Sequence, residues 1–406
     1  MSGAPTVGIV HFPSSGHIRP IQPLVAALES EGLRVVQWVP ADWQDAGELA
    51  GAELRSFPDL SGLRWPHKPS PLRILAFLAD TAERLAPWMT KELADAGVDA
   101  VVRDSFAGYG HYAARANGLN QFVIPAAMAF HRGIWPRAHG LSARGLRGDI
   151  GDALALRASS RRLRRRYGEP LGDPLRVFCG RFGSPTFVMT VPSLQTEPER
   201  LHGEEIHYVG ALRALGPDGA SEEPALAGLA EGEQVVYVSW GTVFEQKPEA
   251  FLAAARALAA PGRRVILSIG RVDAALLGAL PEGVIAQSHV DQIAVLRRAD
   301  LFVTHGGFNS MQEGLAAGVP LLLFPQMFEQ AVNADQVAAL GAGVRLRSFS
   351  ERALAGAARS MLADPSYRLE AERLALELKA GNRGDAAVQL VARAARQKAG
   401  ADRQAV

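Results

Sequence analysis

The sequence predicts an α/β protein made of two similar halves, each a parallel sheet flanked by helices. Three observations carry this. Short apolar runs alternate with longer segments of helical periodicity, as in βα units on a parallel sheet. At 406 residues the chain is long for a single core. Near its middle, Gly203 to Glu233 holds Gly210, Gly216, Pro217, Gly219, Pro224 and Gly232, with few large apolar residues after Leu215, which reads as a linker.

In order along the first half, the strand candidates are Val7 to Phe12, Leu33 to Val39, Ala100 to Arg103 and Gln121 to Pro125. The second half supplies Gln234 to Ser239, Arg264 to Ile269, Val284 to Ala286, Asp300 to Thr304 and Val319 to Phe324. We therefore expect a first domain over residues 1–205, a linker over 206–232, a second domain over 233–384, and a helical tail over 385–406.

Composition narrows the function classes. Lys plus Arg (43) nearly balance Asp plus Glu (42), a formal net charge of +1, which gives no support to nucleic acid as the main partner. Cys179 is the single cysteine, so neither an internal disulfide nor a cysteine-based metal cluster is expected. Val7 to Phe12 reaches Pro13 too soon for a signal-peptide core, and no apolar run approaches the ~18 residues of a membrane span, so a soluble, cytoplasmic protein without stable membrane insertion is expected.

The most informative segment is Thr304-His305-Gly306-Gly307-Phe308-Asn309-Ser310-Met311-Gln312-Glu313. A short apolar strand runs into paired glycines and then into a helical pattern. That arrangement points free backbone N–H groups and the positive end of a helix dipole at one spot, a natural seat for a pyrophosphate. His305 adds a donor. Glu313, four residues after Asn309, shares its helix face one turn on, where a carboxylate can accept hydrogen bonds from ribose hydroxyls. Two glycines alone would equally suit an ordinary strand-to-helix turn.

The full set of residues, followed by Val319-Pro320, Pro325 and Glu329-Gln330-Ala331-Val332-Asn333, closely resembles the donor-binding signature of inverting family 1 glycosyltransferases, in particular the bacterial macrolide glycosyltransferases. The resemblance runs from about Gln287 to Arg347. It implies GT-B architecture: two Rossmann-like domains facing across a cleft, the first binding the acceptor, the second the nucleotide sugar, with the tail returning to the first domain. It further implies a UDP-sugar as co-substrate and no separate cofactor.

By the same resemblance, Ser239-Trp240-Gly241-Thr242 is a second phosphate loop, with Thr242 as the contact and a simple strand-ending turn as the alternative. The nucleotide base is expected against His289, Val290 and Gln292. Family members commonly carry tryptophan where His289 stands and proline at Asp291, so a smaller stacking surface is expected here. Glu329 and Gln330 correspond to the pair that reads the sugar hydroxyls. A carboxylate and an amide suit a fully hydroxylated hexose, because a deoxysugar would leave them unpaired, so glucose is favoured. The chain has no Asp-x-Asp motif, so His305, Asn309, Ser310 and helix amides are expected to stabilise the leaving diphosphate without a metal.

The base candidate lies early. Pro13-Ser14-Ser15-Gly16-His17-Ile18-Arg19-Pro20 follows the first strand, and its Gly-His-x-x-Pro pattern matches the loop in which the family carries its catalytic histidine. A neutral imidazole at a strand's carboxyl end can take the proton of an attacking hydroxyl. Asp104, at the end of another strand, is the expected orienting carboxylate by the logic of a hydrolase triad, with a helix cap as the alternative. Trp65, Phe77, Phe130 and Trp135 are candidate contacts for an apolar acceptor, although core packing explains such residues equally well.

Arg161-Arg162-Leu163-Arg164-Arg165-Arg166 reads as a solvated helix face, or as a contact for an anionic acceptor or membrane surface. The expected reaction is transfer of glucose from UDP-glucose to a hydroxyl of a macrolide or other polyketide, for instance to inactivate an antibiotic. A TDP-sugar donor and carotenoid, flavonoid or sterol acceptors stay open. Readings of other kinds are a nucleotide-sugar epimerase, which the His17 loop disfavours, and a non-catalytic nucleotide-sugar-binding auxiliary protein, which the pair His17 and Asp104 disfavours.

Overall fold

The structure, a computed structural model, describes residues 4–43, 49, 51–61, 63, 66, 70–125, 127–130, 150–173, 183–201, 205–210, 223–241, 247–381 and 383–404. Three of the site candidates, Trp65, Trp135 and Thr242, lie outside the described residues, as does Cys179. The chain divides into two compact units. One comprises residues 1–189, 197–212 and 383–406; the other comprises 190–196 and 213–382.

The first unit is built on β1 (Thr6–Val10), β2 (Arg34–Val39), β3 (Glu53–Ser56), β4 (Ala100–Asp104), β5 (Asn120–Ile124), β6 (Thr186–Val188) and β7 (Ile206–Tyr208). They form one sheet in the order β3-β2-β1-β4-β5-β6-β7, and every pairing is parallel. The central strands β1 and β4 are buried at every position because helices cover both faces, and they are apolar apart from Thr6, Arg103 and Asp104. The helices are α1 (Ser15–Ile18), α2 (Gln22–Ser30), α3 (Pro71–Asp95), α4 (Gly108–Ala116) and α5 (Ile150–Tyr167). Ser70 opens α3 by accepting the Arg73 N–H at 3.2 Å, and Pro71 presets its first turn.

The second unit holds β8 (Gln234–Ser239), β9 (Arg263–Ser268), β10 (Val284–Gln287), β11 (Leu301–Thr304), β12 (Leu321–Leu323) and β13 (Gly343–Arg345), in the order β10-β9-β8-β11-β12-β13, again parallel. Its helices are α6 (Pro248–Leu258), α7 (Gln292–Leu296), α8 (Phe308–Ala316), α9 (Phe328–Ala339), α10 (Glu351–Ala363) and α11 (Ser366–Ala380). Its core joins Val236, Val238 and Trp240 to Phe251, Leu258, Leu301, Val303 and Leu354.

The last helix, α12 (Gly384–Gln404), belongs to the first unit. Val388, Val391, Ala392 and Ala395 are buried, and Arg396 donates to the Glu31 carbonyl at 2.9 Å. Ile206–Tyr208, read from sequence as linker, is instead the edge strand of the first sheet, in register with Thr186–Val188. Among the described residues, no helix is long and apolar enough to cross a membrane.

Both sheets share one topological property that positions the chemistry. In the first, the order reverses between β1 and β4; in the second, between β8 and β11. Loops leaving the carboxyl ends of the strands on either side of such a reversal diverge to opposite faces and open a crevice there.

Candidate active site

In the first unit the switch point brings together the end of β1 and the end of β4, where Val10 pairs with Arg103. His17 lies in the single turn α1, whose start is fixed by the His17 and Ile18 N–H groups donating to the Ser14 carbonyl at 2.9 and 3.0 Å. Asp104 is the last residue of β4 and is buried. His17 Nδ1 lies 2.7 Å from Asp104 Oδ2. The other carboxylate oxygen accepts the Phe106 N–H at 2.7 Å, which stops the carboxylate rotating. Asp104 therefore caps a turn and holds an imidazole; the cap of α4 is Ala107.

This geometry sets the tautomer. An ionised carboxylate can only accept, so Nδ1 carries the proton and Nε2 is left with a lone pair. The ring is flanked by Phe12 and Phe106, with centroids 5.1 and 5.2 Å away, and the His17 side chain remains 14% exposed. Phe77 extends this aromatic wall through an edge contact with Phe12 at 6.5 Å. Phe130, the other described acceptor candidate, is buried in the interior.

Two supports of this half-site have no sequence motif. His11 is buried beside β2, with Nε2 bonded to Gln37 Oε1 at 2.8 Å. Gln37 is paired with Gln22, whose amide donates to the Ile18 carbonyl at 3.0 Å, so the relay ends on the turn carrying His17. Burial holds the His11 pKa down at about 4, which keeps it neutral beside the pair. Arg103 is also fully buried, donating to Gln121 Oε1 at 2.9 Å and to the Asp104 carbonyl at 3.4 Å. Arg103 stands out in the sequence as a charged residue within an apolar strand, whereas His11 directly follows one and carries no such signal.

In the second unit, Ser239 of β8 pairs with Thr304 of β11, so Trp240-Gly241 and His305-Gly306 leave the sheet side by side. The His305 ring is buried, hydrogen-bonded to the Ser239 backbone, and 3.3 Å from Thr304 Oγ1. Burial lowers its pKa to about 4, so the ring is neutral at ordinary pH. Gly306 turns with φ +79°, in the left-handed region that favours glycine. Asn333 on α9 clamps that turn by donating to the Gly306 carbonyl at 2.9 Å. Asn333 was legible only as part of the family signature, not as a support of the turn.

Helix α8 begins directly after Gly307, and no side chain caps it. Asn309 and Ser310 are half-buried in its first turn. Its N-terminus therefore offers the amides and dipole that favour a diphosphate. One turn on, Glu313 is buried and accepts Gln292 Nε2 at 2.5 Å, while Gln292 Oε1 lies 3.3 Å from the Tyr237 hydroxyl. The structure thus brings Gln292, Glu313 and the α8 turn into one group. His289 is exposed and Val290 buried just before α7, where Asp291 accepts the Ala294 N–H at 3.1 Å.

Glu329 and Gln330 open α9. The Gln330 carbonyl oxygen accepts the Gln326 and Met327 N–H groups at 2.8 and 3.2 Å, so only its amide nitrogen can face a ligand. The half-buried Glu329 carboxyl is pushed up to about 7 by desolvation. Among the described residues, no group of three or more His, Cys, Asp or Glu side chains has the arrangement of a metal site.

Residues 198–379 match the sequence profile of the UDP-glucoronosyl and UDP-glucosyl transferase family. The chain is 25% identical over 402 residues to an uncharacterized UDP-glucosyltransferase, YojK, of Bacillus subtilis (strain 168), covering 96% of this chain and 97% of that one. It is 35% identical over 198 residues to the oleandomycin glycosyltransferase of Streptomyces antibioticus, 48% of this chain and 45% of that one. The crystal structure of the glycotransferase of kitacinnamycin superposes with a TM-score of 0.79 at 26% identity, covering 97% of this chain and all of that one (100%). The donor half carries the family's profile and both parallel-sheet units have the fold of a GT-B glycosyltransferase, so the comparisons support a glycosyltransferase of the family 1 type.

Proposed function

We propose that the enzyme transfers glucose from UDP-glucose, with inversion and without a metal ion, to a hydroxyl of a hydrophobic natural product, a macrolide or other polyketide first. The observation that carries the reading is the 2.7 Å contact between His17 Nδ1 and Asp104 Oδ2, which leaves Nε2 as the proton acceptor. In the proposed step the acceptor hydroxyl gives its proton to Nε2 while its oxygen forms a bond to the anomeric carbon. The bond from that carbon to the diphosphate oxygen breaks, and UDP leaves with the electron pair. Asp104 stabilises the imidazolium that forms. A single displacement of this kind inverts the anomeric centre.

The α8 N-terminus, His305, Asn309 and Ser310 meet the growing charge on the leaving diphosphate, taking the part a metal ion plays elsewhere. Glu313 with Gln292 is assigned to the ribose, His289 to stacking on the base, and Glu329 with the Gln330 amide to the sugar hydroxyls. Phe12, Phe77 and Phe106 give the acceptor an apolar wall beside the base. The relatives support the acceptor class: one is an oleandomycin glycosyltransferase.

The test is incubation with UDP-glucose and a panel of macrolides, flavonoids and carotenoids, followed by mass spectrometry. A hexose mass gain on macrolides, with the anomeric configuration inverted by NMR, supports the reading. Gain only on another class moves the acceptor, and transfer only from TDP-sugars moves the donor.

A further inference from the structure

We propose that the exposed face of α5 docks on an anionic lipid bilayer, an assignment that stands whether or not the donor and acceptor are as proposed above. The helix Ile150–Tyr167 carries six arginines against one aspartate, a net charge of +5, in a chain whose total is +1. The rest of the molecule is therefore slightly acidic, and the positive excess lies on this one element.

The placement of these residues is more telling than their number. At about 100° per residue, Ile150, Leu154, Arg157, Arg161, Arg164 and Arg165 fall within a stripe about 100° wide. Ser159 and Leu163, on the opposite side, are buried. The helix is held on that side by two ion pairs to α3: Arg73 with Asp152 at 2.9 Å, and Arg162 with Glu83. Arg162 is thus spent on the fold. Among the described residues, Arg157, Arg161, Arg164 and Arg165 have no carboxylate partner, and all four are exposed.

The same stripe begins with two aliphatic side chains left in water. Ile150 is 64% exposed and Leu154 63%, one turn apart. A merely solvated basic face has no use for them. An aliphatic pair continued by four unpaired guanidiniums matches a lipid interface, where the apolar groups enter the acyl boundary and arginines pair with phosphates. A nucleic acid would leave the aliphatic pair without a role, which makes it the alternative the experiment must separate.

The experiment is cosedimentation of the full-length enzyme with phosphatidylcholine vesicles, with and without phosphatidylglycerol, in low salt and in about 0.5 M NaCl. The wild type should pellet with the anionic vesicles in low salt only. Changing Arg157, Arg161, Arg164 and Arg165 to Glu together should weaken that binding at least tenfold, by about a factor of several per charge. The milder pair Arg161→Gln and Arg165→Gln should give an intermediate loss with an unchanged thermal melt. Ile150→Ser with Leu154→Ser should weaken vesicle binding about threefold or more while leaving retention on heparin unchanged. Failure of the wild type to pellet, or pelleting that the charge changes leave intact, overturns the proposal. Vesicle binding that the serine pair does not alter, together with tight binding to heparin or duplex DNA, also overturns it and reassigns the face to polyanions.

Discussion

The imidazole of His305 occupies the space that a side chain at Gly241 would need: a Cβ built there would lie 2.6 Å from Cε1 and 2.7 Å from Nε2. Gly241 also has φ +77°. Gly307 faces the same ring, and a Cβ on it would lie 2.4 Å from Nε2. The glycines of the two loops that leave β8 and β11 are thus coupled through one side chain, and the ring can hold its place only because neither residue has a Cβ.

It follows that Gly241→Ala should displace the His305 ring while leaving the fold in place. We expect the KM for the nucleotide sugar to rise at least about tenfold and stability to fall by about 1–3 kcal/mol, from strain at positive φ plus overpacking. Steady-state kinetics and a denaturant melt check both. Wild-type donor affinity in this variant would remove His305 from the donor site.

The base assignment separates from binding. His17→Ala should lower kcat by about 10²- to 10⁴-fold, and titration calorimetry should show UDP affinity unchanged. Asp104→Asn should be nearly as severe, because a carboxamide no longer obliges Nδ1 to carry the proton, so the tautomer with a bare Nε2 loses its preference. Activity within a few-fold of wild type in His17→Ala would show that another group takes the proton.

How much of this was legible follows from the residues themselves. Central strands such as Gln234–Ser239 are near-continuous apolar runs, buried on both faces, and read directly. The short outer strands Glu53–Ser56, Thr186–Val188, Ile206–Tyr208 and Gly343–Arg345 have three or four residues, some polar, and exist because a neighbour in register completes them. His17 and Asp104 each stand at a strand's carboxyl end, a local signal. Their contact spans 87 positions and depends on β1 and β4 being neighbours, which no local pattern encodes. The same holds for Asn333, whose bond to Gly306 spans 27 positions. His11 was invisible for a different reason: in sequence it is one more residue of an apolar run.

Buried neutral histidines make the fold acid-sensitive. His11 and His305 have folded pKa values near 4 against an ordinary 6.5, so the unfolded chain binds more protons than the native one between those values. Stability is fully present above about pH 6.5 and falls as pH drops towards 4. His11→Gln removes one of these groups. Its Tm should fall less steeply than that of wild type between pH 6.5 and 4.5, measured by calorimetry, whereas parallel Tm profiles would mean that His11 is not buried as described.

Metal dependence tests the role given to the α8 N-terminus. Incubation with EDTA should leave the transfer rate within about twofold, because amides and the helix dipole already stabilise the leaving diphosphate. A loss restored by magnesium would assign that stabilisation to the ion.

Glu329 has the opposite sign. Its carboxyl titrates near 7 in the folded protein against 4.5 ordinarily, because desolvation disfavours the charged form. The native state therefore binds more protons than the unfolded chain between pH 4.5 and 7, and this group's contribution to stability is present below about 4.5 and lost as pH rises through 7. A desolvated carboxyl whose ionisation costs the fold stability suits a site that waits for hydroxyl donors, since sugar hydroxyls would hydrogen-bond the charged form and lower its pKa. Two results should follow. Glu329→Gln should melt higher than wild type at pH 8 and close to it at pH 5. Glu329→Ala should narrow the preference for glucose over a deoxysugar donor more than it weakens binding of free UDP. A variant with unchanged donor preference would leave the raised pKa as a property of packing alone.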